Sequence, residues 1–128
     1  MGEIKTFKDL LLWRKAHDLV LSIYRSTRNF PGDEKYNLVS QIRRSATSVV
    51  SNIVEGFRRK GLKDSLNFYN ISDSSLEELK YQILLSYDLN YLSKIEFESM
   101  NSICEEVSKM LYSWTKSQRQ NHNKFSKK

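Results

Sequence analysis

The chain has 128 residues, 39% hydrophobic and 28% charged, with 4 Gly and 1 Pro, a size and composition that fit one compact domain and leave no room for a second. Its single cysteine, Cys104, excludes an internal disulfide and a four-ligand zinc site, and its longest apolar run, Leu10-Leu11-Leu12-Trp13, is far short of the ~20 residues that cross a bilayer. The net charge of +6 is unevenly spread: residues 1–64 carry +6, residues 65–111 carry −5 and residues 112–128 carry +5, a pattern that suits a polyanion partner and equally suits subunits packed acidic face to basic face.

Glycine and proline are scarce and punctuate four segments of helical periodicity. The first helix is expected over about residues 7–29: Thr6 with Asp9 three residues on is a weak capping box, and Trp13, Ala16, Val20, Ile23 and Thr27 step by 3, 4, 3, 4 until Phe30-Pro31-Gly32 stops the pattern. The second, about 34–58, follows Asp33 as N-cap and repeats the step through Val39, Ile42, Ala46, Val49 and Ile53, ending at Gly56 or Gly61. The third, about 63–89, carries Leu62, Tyr69, Leu76, Leu79 and Ile83 with Ser65, Ser72 and Ser86 at the intervening seam positions, and closes at Asn90, a residue that tolerates the left-handed conformation. The fourth, about 94–116, starts on the capping box Ser93-Lys94-Ile95-Glu96 and continues through Met100, Ile103, Val107, Met110 and Trp114.

Four amphipathic helices on short links predict an all-α fold, an antiparallel up-and-down four-helix bundle over residues 1–115. Residues 116–128, polar and basic, are expected to form a disordered tail. With one cysteine and no secretory leader at its start, the chain is expected in the reducing cytoplasm, away from membranes.

Residues suited to catalysis are sparse. His17 and His122 lie at opposite ends of the sequence, acidic neighbours disfavour a Cys104 thiolate, and there is no Glu-x-x-His pair of the kind that builds di-iron sites in bundles. Phosphate-loop and dinucleotide fingerprints are also missing, so the expectation is a protein that is not an enzyme and needs no cofactor or metal.

Two polar constellations remain. Arg44, Ser48, Asn52, Glu55 and Arg59 fall on one strip of the second helix, read either as a solvated surface with an ordinary Glu55–Arg59 pair or as a contact with another subunit or a ligand. Arg43, Arg44, Arg58, Arg59, Lys60 and Lys63 form basic clusters, and Phe57, Phe68 and Tyr69 flank the middle one, as on surfaces that bind single-stranded nucleic acid. The plainer reading makes those aromatics core or interface residues and the charges a means of solubility. Tyr36, Tyr81, Tyr87 and Tyr91, off the core strip, and Val50 and Val54, which widen the apolar face of the second helix, point to oligomerisation.

The string Phe30-Pro31-Gly32-Asp33-Glu34-Lys35-Tyr36-Asn37-Leu38, continued by Gln41-Ile42-Arg43-Arg44-Ser45-Ala46 and Asn52-Ile53-Val54-Glu55-Gly56, resembles the four-helix-bundle proteins encoded in intervening sequences of bacterial 23S ribosomal RNA genes. The resemblance runs from Phe7-Lys8-Asp9-Leu10 to Asn90-Tyr91-Leu92. It departs in the third helix, where Ser65, Ser72 and Ser74 stand in place of the family's aromatic, Ala and Gly before Ser75-Leu76-Glu77-Glu78, so packing there is expected to differ. The resemblance implies a non-enzymatic cytoplasmic bundle that assembles as a homo-oligomeric ring, typically a pentamer. It also implies kinship with the accessory proteins of diversity-generating retroelements, basic bundles that bind reverse transcriptase and nucleic acid.

Two readings follow. In one, an oligomer associates with RNA or other nucleic acid through Arg43, Arg44, Arg58, Arg59, Lys60 and Lys63 presented by several subunits. In the other, a scaffold or accessory subunit binds another subunit or a protein partner through its polarised faces and surplus aromatics, with Arg44, Asn52 and Glu55 a subunit interface or structural polar stripe and with no nucleic-acid role.

Overall fold

In the computed structural model, which describes residues 3–126, the helices are α1 (Leu11–Thr27), α2 (Leu38–Arg58), α3 (Leu62–Asp88) and α4 (Lys94–Ser126), with no strand among the described residues. Each helix packs on its neighbours in sequence and α4 closes the square against α1, with α2 on α3 the most extensive contact. This is the up-and-down four-helix bundle that the periodicity predicts. No helix among the described residues is long and apolar enough to cross a membrane.

The ends show where local chemistry sets each boundary. Asp9 accepts the backbone N–H groups of Lys5 (2.9 Å) and Thr6 (3.0 Å), but it closes a 3-10 turn at Phe7–Asp9, and α1 begins only at Leu11. Gly32–Glu34 forms a second such turn, and α2 starts at Leu38 rather than after Asp33. The Glu34 carboxylate is drawn away to accept the Tyr91 hydroxyl (2.9 Å), while Phe30 packs on the Tyr91 ring, so this link is pinned to the α3–α4 link. Asn90 takes the left-handed conformation (φ 64°), and the Tyr91 N–H reaches back to the Ser86 carbonyl (2.9 Å), a Schellman closure. Ser93 and Glu96 make the reciprocal capping box, at 3.1 and 2.9 Å.

The core is built from Leu12, Ala16, Leu19 and Ile23 of α1, Val39, Ile42, Ala46, Val49 and Ile53 of α2, Tyr69, Leu76, Leu79 and Ile83 of α3, and Met100, Cys104, Val107 and Leu111 of α4. On α1 and α4 the core takes Ala16, Ile23, Thr27, Met100 and Val107 of the expected strips and departs from the rest: Trp13, Val20, Ile103, Met110 and Trp114 are only partly buried, and Cys104 is a core residue itself. Both helices are apolar on two adjacent strips, and the compact side chains take the crowded centre while the indoles, each with an N–H to satisfy, sit at the rim.

Serines line the α2–α3 contact and let the two backbones approach. Ser72 donates to the Val49 carbonyl (2.7 Å), and the Ser48 and Ser75 hydroxyls meet at 2.7 Å. Ion pairs tie two other seams, Lys15 to Glu106 (3.0 Å) between α1 and α4 and Lys80 to Glu105 (3.3 Å) between α3 and α4, with Glu77 of α3 also on Lys80 (3.0 Å).

The disordered tail expected from Lys116 is corrected: α4 continues unbroken to Ser126, and only the end of that expectation, Lys127 and Lys128, lies outside the described residues. Residues 114–126 contain no Gly or Pro, Gln and Lys are good helix formers, and Trp114 anchors the extension against the bundle.

Candidate nucleic-acid interface

The six basic residues singled out in the sequence divide into two groups. Arg43 is committed to α1: its Nε donates to Thr27 Oγ1 (2.9 Å), a terminal nitrogen donates to the Tyr24 carbonyl (3.4 Å), and the guanidinium lies 4.5 Å over the Tyr24 ring. Thr27 passes its own proton to the Ile23 carbonyl (2.7 Å), which leaves its oxygen free to accept from Arg43. Arg44 donates to Gln41 (2.9 Å) and pairs with Glu78 of α3 (2.9 Å).

The polar strip of α2 runs along the seam with α3. Below Arg44 come the Ser48–Ser75 contact, then Asn52, whose amide donates to the Ser48 carbonyl (2.8 Å) and hydroxyl (3.1 Å), then Glu55, which pairs with Arg59 (3.5 Å). Arg59 also covers the Phe68 ring of α3 at 4.6 Å. The Arg44 and Glu78 side chains are 56% and 45% exposed, so water screens their attraction. A double-mutant cycle with Arg44→Ala and Glu78→Ala is expected to give a coupling energy below about 1 kcal/mol by chemical denaturation.

Arg58, at the end of α2, stands roughly 20 Å farther along the helix than Arg43 and Arg44, at 1.5 Å per residue, and Arg59, Lys60 and Lys63 follow it in the cap, the link and the first turn of α3. The up-and-down arrangement brings the C-terminal end of α2, the start of α3 and the last turns of α4 to the same end of the bundle, so Lys116 and Arg119 join this group. Arg58, Lys60, Lys63, Lys116 and Arg119 are exposed and form no ion pair among the described residues. Nearby acidity is limited to three groups: Glu55 is taken by Arg59, Asp64 sits in the first turn of α3, and Asp73 lines the same α3–α4 groove as Arg119. This is a concentrated positive end, assembled from two clusters that are far apart in sequence.

Between the α2–α3 corner and α4 lies a groove of about 390 Å³, lined by Ile4, Gly56, Phe57, Arg59, Lys60, Leu62, Ser65, Tyr69, Trp114, Gln118, Asn121 and His122. Tyr69 forms the buried floor, and its hydroxyl is the polar group beside the Trp114 N–H, which otherwise has no partner. Phe57 and Trp114 stand 6.5 Å apart, ring to ring. Gln118, Asn121 and His122 were missed in the sequence because the segment reads as a tail; its unbroken run of helix-compatible residues was the available signal.

Elsewhere the chemistry is sparse. His17 is stacked on Trp13 (5.0 Å), Cys104 is fully buried, and the described residues contain no group of three or more His, Cys, Asp or Glu placed to hold a metal ion. A second groove, between α1 and α2, is apolar and lined by Phe7, Trp13, His17, Val20, Val50 and Val54.

The family model described as 23S rRNA-intervening sequence protein matches residues 8–113. Among solved structures, a protein with unknown function from the S23 ribosomal protein family of Bacteroides thetaiotaomicron is similar with a TM-score of 0.76 and 26% identity, covering 83% of this chain and 96% of that chain. No curated protein matches the sequence.

Proposed function

Because the chain belongs to the 23S rRNA-intervening sequence protein family, we propose that it is a non-catalytic, homo-oligomeric cytoplasmic bundle that associates with RNA through its basic end. The observation that carries this reading is the gathering of Arg58, Lys60, Lys63, Lys116 and Arg119, exposed and without carboxylate partners among the described residues, at one end of the bundle. Phosphates are the natural counterions for such a surface, and the start of α3 adds the positive end of a 27-residue helix. A single subunit would bind weakly, and an oligomer that aligns several basic ends multiplies the effect. The apolar α1–α2 groove, together with the exposed Ile71, Tyr81 and Leu84 of α3, supplies surface for subunit contacts. Arg43 and Arg44 are left out of this RNA surface, because α1 and Glu78 already hold them.

The test combines Arg58→Ala, Lys60→Ala and Lys63→Ala in one chain and follows the affinity for structured RNA against salt, with the mass measured by light scattering. Each lost phosphate contact lowers the salt slope by about 0.7–0.9, so the triple variant is expected to flatten it by about 2 or more per engaged subunit and to weaken binding more than about 10-fold. Helicity and mass should stay as in the wild type. Unchanged RNA affinity overturns the reading, and an altered mass with unchanged affinity assigns the basic end to a protein contact instead.

A further inference from the structure

We infer that the groove between the α2–α3 corner and the last turns of α4 receives an unpaired nucleotide of single-stranded nucleic acid, a reading that rests on the proposed RNA association and assigns it a site and a strand class. The groove joins three chemistries that a flat phosphate-binding surface lacks. Its floor and flank are aromatic, with Phe57 and Trp114 only partly buried. Its α4 wall carries two side-chain amides, Gln118 and Asn121, three residues apart and so on one helix face. Its lining includes Lys60 and Arg59, the latter shared with Glu55 and the Phe68 ring, with Arg58 and Lys63 within three residues in the chain, and no carboxylate lines it.

Each part fits one part of a nucleotide. A base presents a π-face to the rings and a donor–acceptor edge to amides, which pair well with such edges, while its phosphate meets the cations at the rim. A duplex cannot use this site. The major groove of an RNA helix is too deep and narrow for side chains, and bases reach a concave pocket only when unstacked. The volume of about 390 Å³ lies at the small end of ligand pockets, room for one nucleotide rather than a helix. The α4 wall begins at Trp114, beyond the matched residues 8–113, so the assignment rests on this chain's own side chains.

The experiment uses the full chain carrying Trp13→Phe, which leaves Trp114 as its one indole. Its emission is titrated with short oligoadenylate, the matching DNA strand, a short RNA duplex and heparin at ~0.15 M salt. Saturable quenching by the single strands, and little by duplex or heparin, is expected; the RNA and DNA arms show whether the sugar is read. In the otherwise wild-type chain, Gln118→Ala with Asn121→Ala should weaken single-strand binding about 10-fold by fluorescence anisotropy and leave duplex and heparin affinity unchanged. Equal quenching by heparin, or single-strand affinity untouched by the amide substitutions, overturns the inference while duplex binding lost in the Arg58, Lys60 and Lys63 variant would leave the RNA reading standing. Absence of binding to any RNA defeats both.

Discussion

Gly56→Val is expected to cost the bundle about 3 kcal/mol and Gly56→Ala about half that, because a Cβ at this position has no room. It would lie 2.7 Å from Cδ1 of the Tyr69 ring, where carbon atoms in contact prefer about 3.5–4.0 Å. The ring is 3% exposed, and it is closed in by α2 on one side and Trp114 on the other, so relief requires α2 and α3 to separate. Alanine regains up to about 1 kcal/mol of helix propensity over glycine, which offsets part of the clash; valine regains less and adds two methyl groups. Urea denaturation followed by circular dichroism measures both. Combining Gly56→Ala with Tyr69→Leu should recover most of the clash, giving a coupling energy of about 1 kcal/mol or more. If Gly56→Ala proves as stable as the wild type or more so, the close approach of α2 and α3 at this level is wrong. Gly56 and Tyr69 also floor the groove, so the valine variant should lose single-strand binding before it loses helicity.

The same contact shows what the sequence can and cannot convey. The serines of α3 read as seam fillers from their spacing, and the structure finds Ser65, Ser72 and Ser86 buried. Ser75, whose hydroxyl meets Ser48, and the pressure of Tyr69 on Gly56 depend on the helix pair and have no local signature. The whole core strip of α2 was legible because its opposite face is polar; on α1 and α4 two adjacent apolar strips compete, and period alone does not choose between Leu12 and Trp13 or between Cys104 and Ile103.

Candidate site residues divide in the same way. Arg43 and Arg44 are identical neighbours in sequence, yet one is stacked on Tyr24 and bound to Thr27 of α1, and the other faces Glu78 of α3. A basic residue's availability depends on which acceptors the fold brings near, and pattern carries no information on that. The extension of α4 was hidden for a related reason. Composition marks Lys116 onward as polar, but Trp114 and the α2–α3 corner give the extension a surface to lie against, and there the balance of helix and coil is decided.

Alkaline pH is expected to be the bundle's weak side, with Cys104 the largest single contributor. Burial pushes its thiol from an ordinary 9.0 up to about 12, Glu105 and Glu77 adding to the effect and the Lys80 ammonium working against it. The folded chain thus keeps a proton that the unfolded chain releases, so this stability is whole below about pH 9 and is lost progressively as pH rises toward 12. At ~1.4 kcal/mol per pH unit, the thiol alone removes on the order of 2–3 kcal/mol by about pH 11. Lys80 acts in the same direction: burial disfavours its charge, but Glu77 and Glu105 outweigh that and raise its pKa, a stability held below 10.5 and lost as pH rises through the raised value. Tyr69, raised by burial against the opposing Trp114 N–H, follows the same sign. On the acid side, backbone N–H groups lower the exposed cap Asp9 and the partly buried cap Glu96, whose stability is present above the ordinary carboxylate range and fades as pH falls below it. Thermal midpoints from neutral pH to about pH 11 check the asymmetry. Cys104→Ala should melt lower at neutral pH, since it empties a core position, and yet lose less on going alkaline. Parallel losses in the two proteins would mean that the thiol is not the titrating group, and the fall would then belong to the Lys80 bridge between α3 and α4 and to Tyr69.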